Sequence, residues 1–350
     1  MTHLLLALAI SLLPHTPLIE RGKTNQLLNF DFVLQNPTNE KAEIVEVEVD
    51  VLGANDTLIA QRRVGENGLS VTTIPNRFIE PNGKLVVFNP IYSFEPDLDL
   101  SHLRYTFRFE GGATQTIDVH PKPYETKTNL VPPLSGRVLV YDGHDFYSHH
   151  RRLDITGAMT TALHIEANAT RYAYDFVIVN EQGKMYRNDG EKNEEWYGFG
   201  APLYAPGSGV VVESLDGIDD NTKSNPFKPV MEEILKDLSR IFGNHVIVDH
   251  GNGEFSLLAH MKKGSVLVKK GDRVKQGQQL GQLGFSGDAF LAHLHYQLQS
   301  DAHFGEGLPS YFHDYKRLTG GQSLTTGGQF ATVKQGQVDS GDVLLVQPRP

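Results

Sequence analysis

The chain has 350 residues, a formal net charge of −10 and no cysteine. That length is enough for two domains with cores of their own, and the acidic balance argues against nucleic acid or an anionic membrane surface as the main partner. Without cysteine there is no disulfide and no thiolate metal site, so any zinc would be held by His, Asp or Glu.

Met1 to Leu13 (MTHLLLALAISLL) is mostly apolar and is followed by Pro14. The apolar run is shorter than the roughly 20 residues of a membrane span, and no other stretch is apolar enough to cross a bilayer. It has the core of a signal peptide without the basic start. Residues 1–19 therefore read as a signal segment, which would place the protein in the cell envelope, periplasmic or secreted. The other reading is a buried N-terminal strand or helix.

Residues 20–120 alternate apolar and polar side chains, as in Leu28 to Leu34, Ala42 to Val51 and Leu103 to Phe109. Turn sequences separate the runs, among them Gly65-Glu66-Asn67-Gly68 and Glu80-Pro81-Asn82-Gly83. This period predicts an antiparallel β-sandwich, immunoglobulin-like, serving as a spacer or binding module. Residues 121–136 are proline-rich and polar and read as a linker.

A second domain is predicted over 137–315. It opens with the strand Arg137 to Tyr141. A loop dense in histidine follows, with His144, His149 and His150, and then an alternating strand from Arg171 to Ile178. Ala201 to Val211 is a turn into another strand. Residues 216–242 read as an insertion whose end, from Pro229 to Phe242, has apolar positions at helical spacing. From Gly243 to Leu298 short strands alternate with tight turns, and residues 316–350 read as a tail rich in Gly, Gln and Thr. The fold class is thus mainly β throughout.

The chemistry gathers near the end of that hairpin region. His293 and His295 are two apart in a predicted strand and share a face. His260 closes the apolar strand from Phe255 to Ala259. Two imidazoles on one face can serve one metal, or one can bind metal while the other works on substrate.

Several motifs here stand in one register: Gly243-Asn244-x-Val246, His250-Gly251, Leu258-Ala259-His260-Met261, Val274-x-x-Gly277-Gln278, Gly284-x-Ser286-Gly287 and His293-Leu294-His295. In order and spacing they resemble the lysostaphin/LytM-type zinc metallopeptidases, which are peptidoglycan endopeptidases with a duplicated hybrid motif-like fold. The resemblance covers residues 138–315. It implies an antiparallel β domain with a groove, a zinc cofactor and a peptidoglycan peptide as substrate. It also implies three zinc ligands: the His and Asp of His-x-x-x-Asp and the second His of His-x-His. On this chain it makes Asp175 and His295 ligands and His260 and His293 the catalytic pair, as proton acceptor and oxyanion stabiliser in either order.

The first ligand is missing, because the position four before Asp175 is Arg171. A guanidinium has no lone pair to give. His149 or His150 would fill the gap from the upstream loop, with His144 and His164 as weaker candidates. His150 also opens a His-x-x-x-Asp of its own with Asp154, but the sequence after it does not match the family. Arg171 would then stand behind the metal and hold a carboxylate in place. Tyr204 is either a groove residue or a packed strand aromatic, and His245 and His250 read as structural. The expectation is a zinc endopeptidase that cuts peptide cross-links. The alternative is a catalytically degenerate LytM-type protein acting as a cell-wall binding or regulatory factor. A third reading, from the N-terminal sandwich alone, is a carbohydrate-binding or adhesion module.

Overall fold

The structure is a computed structural model that describes residues 8–65, 74, 76–227, 231–320 and 328–348. Period-two alternation becomes antiparallel sheet through most of it. In the strand Leu103–Phe109, Leu103, Tyr105, Phe107 and Phe109 are buried, while Arg104, Thr106 and Arg108 are half-exposed. It pairs with Ala42–Leu52 on one side and Thr114–Val119 on the other. A second sheet joins Ala9–Leu13, Asp31–Gln35 and Lys84–Phe88. The ring of Phe32 meets Tyr105 and Phe107 edge-on, with centroids 4.9 and 5.0 Å apart, so these two sheets share one core. That geometry is the favoured one for aromatic pairs.

The chain divides into two compact units. The first is Met1–Glu125 with Asp154–Ala167, and the second is Thr126–Leu153 with Asn168–Pro350. Three stretches differ in detail from the sequence-based expectation. Ala9–Leu13, within the stretch expected as a signal segment, is a strand in register with Asp31–Gln35. Residues 1–7 and the turn positions 66–68 lie outside the described residues.

The second difference concerns the linker. Thr126 to Leu134 is bound to the second unit instead of hanging free. Both oxygens of buried Glu254 accept backbone N–H groups, from Lys127 and Thr128, each at 2.8 Å. Val131 N donates to Pro206 O at 2.9 Å, and Tyr204 N donates to Pro133 O at 2.7 Å. Leu130 and Leu134 are fully buried. The prolines leave few donors here, and those that remain find partners in the neighbouring strands.

The third difference is at the C-terminus. Phe312–Gly320 runs through the expected boundary at 315, and Gln329–Gly336 and Val343–Val346 extend the same sheet. Val343–Val346 pairs with Gly136–Asp142, so the last strand lies beside the first of the unit. The Gly- and Gln-rich composition hid strands whose apolar residues, Val343, Leu344 and Val346, are core.

This large antiparallel sheet positions everything that follows. At its centre Phe255–Met261, Leu294–Gln299 and Tyr174–Ile178 lie side by side. Alternation splits their side chains. Leu258, Leu294, Tyr296, Tyr174 and Phe176 enter the hydrophobic core. Asp175, His293 and His295 therefore take the opposite face. The predicted helix ending at Phe242 is broken, with an α-turn over Met231–Lys236 and a 3₁₀ turn over Leu238–Phe242. Asp237 causes the break: its carboxylate accepts from Ser239 N at 3.1 Å and Ser239 Oγ at 2.6 Å, a local alternative to the helix bond. Positions 228–230 lie outside the described residues.

Candidate metal centre

Register brings the first two groups together. Asp175 is the cross-strand partner of His295, and His295 is also opposite Ala259, one residue before His260. Asp175 Oδ1 then becomes a point of convergence. His295 Nδ1 lies 3.1 Å from it, His293 Nε2 3.3 Å and His150 Nε2 3.4 Å. The His260 ring lies 4.7 Å from that of His293 and 5.8 Å from that of His295. Asp175, His150, His260, His293 and His295 are all buried.

The other nitrogen of each ring decides what the convergence means. A carbonyl or amide oxygen only accepts, so the nitrogen facing it carries the proton. His150 Nδ1 faces Gly143 O at 2.8 Å, and His293 Nδ1 faces Leu291 O at 2.9 Å. His260 Nδ1 faces Ser286 O at 2.8 Å, and His295 Nε2 faces Gln297 Oε1 at 2.9 Å. Gln297 is itself oriented by donating its amide N–H to Gln299. Each ring in its neutral form therefore turns a bare nitrogen inward, and three of these meet one carboxylate oxygen. His150 Nε2 is buried with no hydrogen-bond partner. Lone pairs gathered in this way repel one another unless protons or a cation lie among them, and locked tautomers of this kind are how proteins orient metal ligands.

Charge follows the same pattern. Burial alone would raise the Asp175 carboxyl, but the His293 and His150 imidazoles outweigh it and hold it well below the usual carboxylate range. Burial lowers His150, and burial with its neighbours His293 and His295 holds His260 far below an ordinary imidazole. His293 goes the other way, because Asp175 overcomes the cost of burial and raises it. His149 is raised chiefly by its hydrogen bond to Asp142, at 2.7 Å.

The glycine motifs support this cluster. Ser286 Oγ accepts from Asn244 N and donates to Met261 O, while its carbonyl holds His260. Gly243 has φ +62°, and a Cβ there would sit 2.5 Å from the Ser286 carbonyl carbon. A Cβ on Gly284 would sit 2.3 Å from Lys262 N. His260 itself is left-handed at φ +61°, strain of the sort found where the surroundings over-determine a functional residue.

The other candidate residues are placed as follows. His150 Nε2 lies 3.4 Å from Asp175 Oδ1, while the His149 side chain is 70% exposed and pairs with Asp142. Arg171 is fully buried and its carboxylate partner is Glu306. His144 packs edge-on against Tyr172 and Tyr174. His164 is exposed and belongs to the first unit. Tyr204 is buried in the strand Pro202–Tyr204. His245 pairs with Glu213, and His250 with Ser208 and Ser256.

Three neighbours were missed from sequence. Asp142, His149, His150 and Asp175 offer ligand atoms that all lie within 4.8 Å of one another, a group able to hold a metal ion. Gln297 orients His295, and Phe242 stacks on His295 at 6.1 Å. The signal for Gln297 was present, since His293-x-His295-x-Gln297 shares one strand face. Asp142 had no such signal.

Residues 197–306 match the model of Peptidase family M23. The chain is 34% identical over 100 residues to the peptidoglycan DD-endopeptidase ShyA of Vibrio cholerae, covering 29% of this chain and 18% of that protein. It is 35% identical over 98 residues to ShyC of the same organism, covering 28% and 17%. It thus spans less than a fifth of the curated relatives it matches. Among solved structures, the catalytic domain of lysostaphin from Staphylococcus simulans is 20% identical over 39% of this chain and 73% of that one, with a TM-score of 0.25. His260, His293 and His295 lie inside the matched segment, and residues 197–306 are a peptidase family M23 segment.

Proposed function

We propose that this chain is a zinc-dependent endopeptidase that hydrolyses peptide cross-links of bacterial peptidoglycan, working in the cell envelope. The observation that carries the reading is the convergence of three inward-facing imidazole nitrogens on Asp175 Oδ1. Asp175, His295 and His150 are the zinc ligands, with His150 in the role that Arg171 cannot fill. The buried His150 Nε2, close to Asp175 Oδ1 but without a hydrogen bond, is what this donor set needs, and three protein ligands leave a position for water or substrate. Zinc bound there supplies a Lewis acid that polarises the scissile carbonyl and lowers the pKa of a water.

His260 and His293 would share the proton work, one accepting the proton of the attacking water and one stabilising the tetrahedral oxyanion, in either order. Nδ1 of each is committed to a carbonyl, Ser286 O for His260 and Leu291 O for His293, which leaves Nε2 of each for that work. Arg171 acts further out, pairing with Glu306.

The second reading, a cell-wall binding or regulatory protein with a degenerate site, has Arg171 in its favour. One experiment separates them. Zinc content and release of peptides from purified peptidoglycan are measured for the full chain and for His150→Ala. Zinc and release in wild type, both lost in the variant, are the expected results. Wall binding without release would leave the second reading, and a variant that keeps its zinc would remove His150 from the ligand set.

A further inference from the structure

The site holds more metal donors than one ion can use. Five imidazoles and two carboxylates gather there: His149, His150, His260, His293, His295, Asp142 and Asp175. A four-coordinate zinc with three protein ligands takes Asp175, His295 and His150 and leaves the Asp142–His149 pair beside it outside the ligand set.

Asp142 is also placed where a carboxylate is costly. It is the last residue of the strand Gly136–Asp142 and the cross-strand partner of Asp175. Like charges directly opposite each other in a sheet repel. The pairing shifts register between Val140 and Asp142, and such irregularities commonly re-aim a side chain near a site. The chain has thus bent a strand end in a way that sets one carboxylate against another. His149 adds a donor on the same side. Its Nδ1 lies 2.7 Å from Asp142 Oδ2, and its ring lies 4.0 Å from that of His150. Donation from Nδ1 leaves Nε2 as a free nitrogen. The buried His150 Nε2, which lacks a hydrogen-bond partner, belongs to this same group of four.

We infer that Asp142 and His149 form a second divalent-cation position beside the first, with Asp175 as the carboxylate common to both. This rests on the zinc reading above. A carboxylate has two oxygens and can serve two ions at once, as it does in hydrolytic sites whose metals lie about 3.5–4 Å apart. Mixed carboxylate and imidazole donors suit zinc, and also manganese or cobalt.

The test is metal stoichiometry. The full chain is stripped with a chelator, titrated with zinc, and weighed by native mass spectrometry. About two zinc ions per chain are expected at saturation. Asp142→Ala and His149→Ala should each hold about one, and Asp175→Asn should lose the second ion together with the first. His149 is exposed, so its variant does not put folding at risk. Wild type that saturates at one ion, or His149→Ala and Asp142→Ala that still hold two, would overturn the inference. If wild type holds one ion and Asp175→Asn none, the second position fails while the endopeptidase reading survives. If wild type holds none, both fail. Cobalt supplies a second readout, because two cobalt ions sharing a carboxylate couple magnetically, and uncoupled signals would sink the shared ligand.

Discussion

The two units handle charge in opposite ways. On the sheet of the first unit, charges are cancelled at the surface by the strand next door. Arg104 Nε donates to Asp118 Oδ1 at 2.8 Å, and Arg108 Nε to Glu46 Oε1 at 2.9 Å. Its buried Asn89 is satisfied locally: it donates to Leu28 O and Tyr105 OH and accepts from Ile91 N. In the second unit, acceptor nitrogens of His150, His293 and His295 crowd around Asp175 in the interior. A folded chain retains such an arrangement when something else completes it, since a partly satisfied buried network costs more than an apolar core. The contrast sets the buried histidine–carboxylate cluster of the second unit apart from the surface ion pairs of the first.

Four changes would break or sharpen that contrast. The largest effect is expected from Asp175→Asn. If Asp175 is the carboxylate of the proposed zinc site, its loss removes several kcal/mol of transition-state stabilisation, so hydrolysis of peptidoglycan should fall by about 1,000-fold or more. Activity retained within tenfold would move the chemistry away from Asp175.

Next is Phe32→Ala in the first unit. Phe32 is fully buried, and its ring meets Phe30, Tyr105 and Phe107. Truncation of this kind costs about 3–5 kcal/mol. A denaturant titration should show that loss, with zinc content unchanged. Loss of zinc as well would mean that the two units do not divide the work as proposed.

A smaller effect is expected from Gln297→Leu. It removes the acceptor that fixes the His295 tautomer, which should weaken zinc affinity about 10–100-fold by competition with a chelator. Unchanged affinity would mean that strand geometry alone orients the ring.

The smallest is Asp118→Asn on the first unit's surface. Arg104 holds the Asp118 carboxyl below its ordinary value. A carboxylate lowered in the folded state contributes stability above its unfolded pKa and loses it as pH falls through the folded one. Exposure and salt screen the pair, so the variant should be only slightly less stable than wild type at neutral pH, and the two should melt together in acid once Asp118 is protonated. A clear gap at neutral pH would make this face more than a solvated surface.

How much of this was legible in sequence follows from distance along the chain. The shared face of His293 and His295 was legible because it depends on neighbours two residues apart. So was the alternation in Leu103–Phe109, which came out as four buried and three half-exposed residues. The strand boundaries at the C-terminus were not, because Gly and Gln between the apolar residues look like loop until another strand pairs with them. The helix ending at Phe242 was misread for a local reason, the competing hydrogen bonds of Asp237.

By itself the order of residues determined the mainly β architecture, the His260, His293, His295 and Asp175 constellation, and the absence of the usual ligand at Arg171. Only the tertiary structure set His150 Nε2 3.4 Å from Asp175 Oδ1 and His149 Nδ1 2.7 Å from Asp142 Oδ2, and only it brought Asp142 beside them. Alternation within a strand is set by the backbone of that strand, so it can be read in a line. Where the two loop histidines stand depends on the Gly143 carbonyl that locks the His150 ring, on the Asp142 carboxylate that pairs with His149, and on the register of strands more than thirty residues apart. Those are long-range contacts, and they exist only once the sheet has closed.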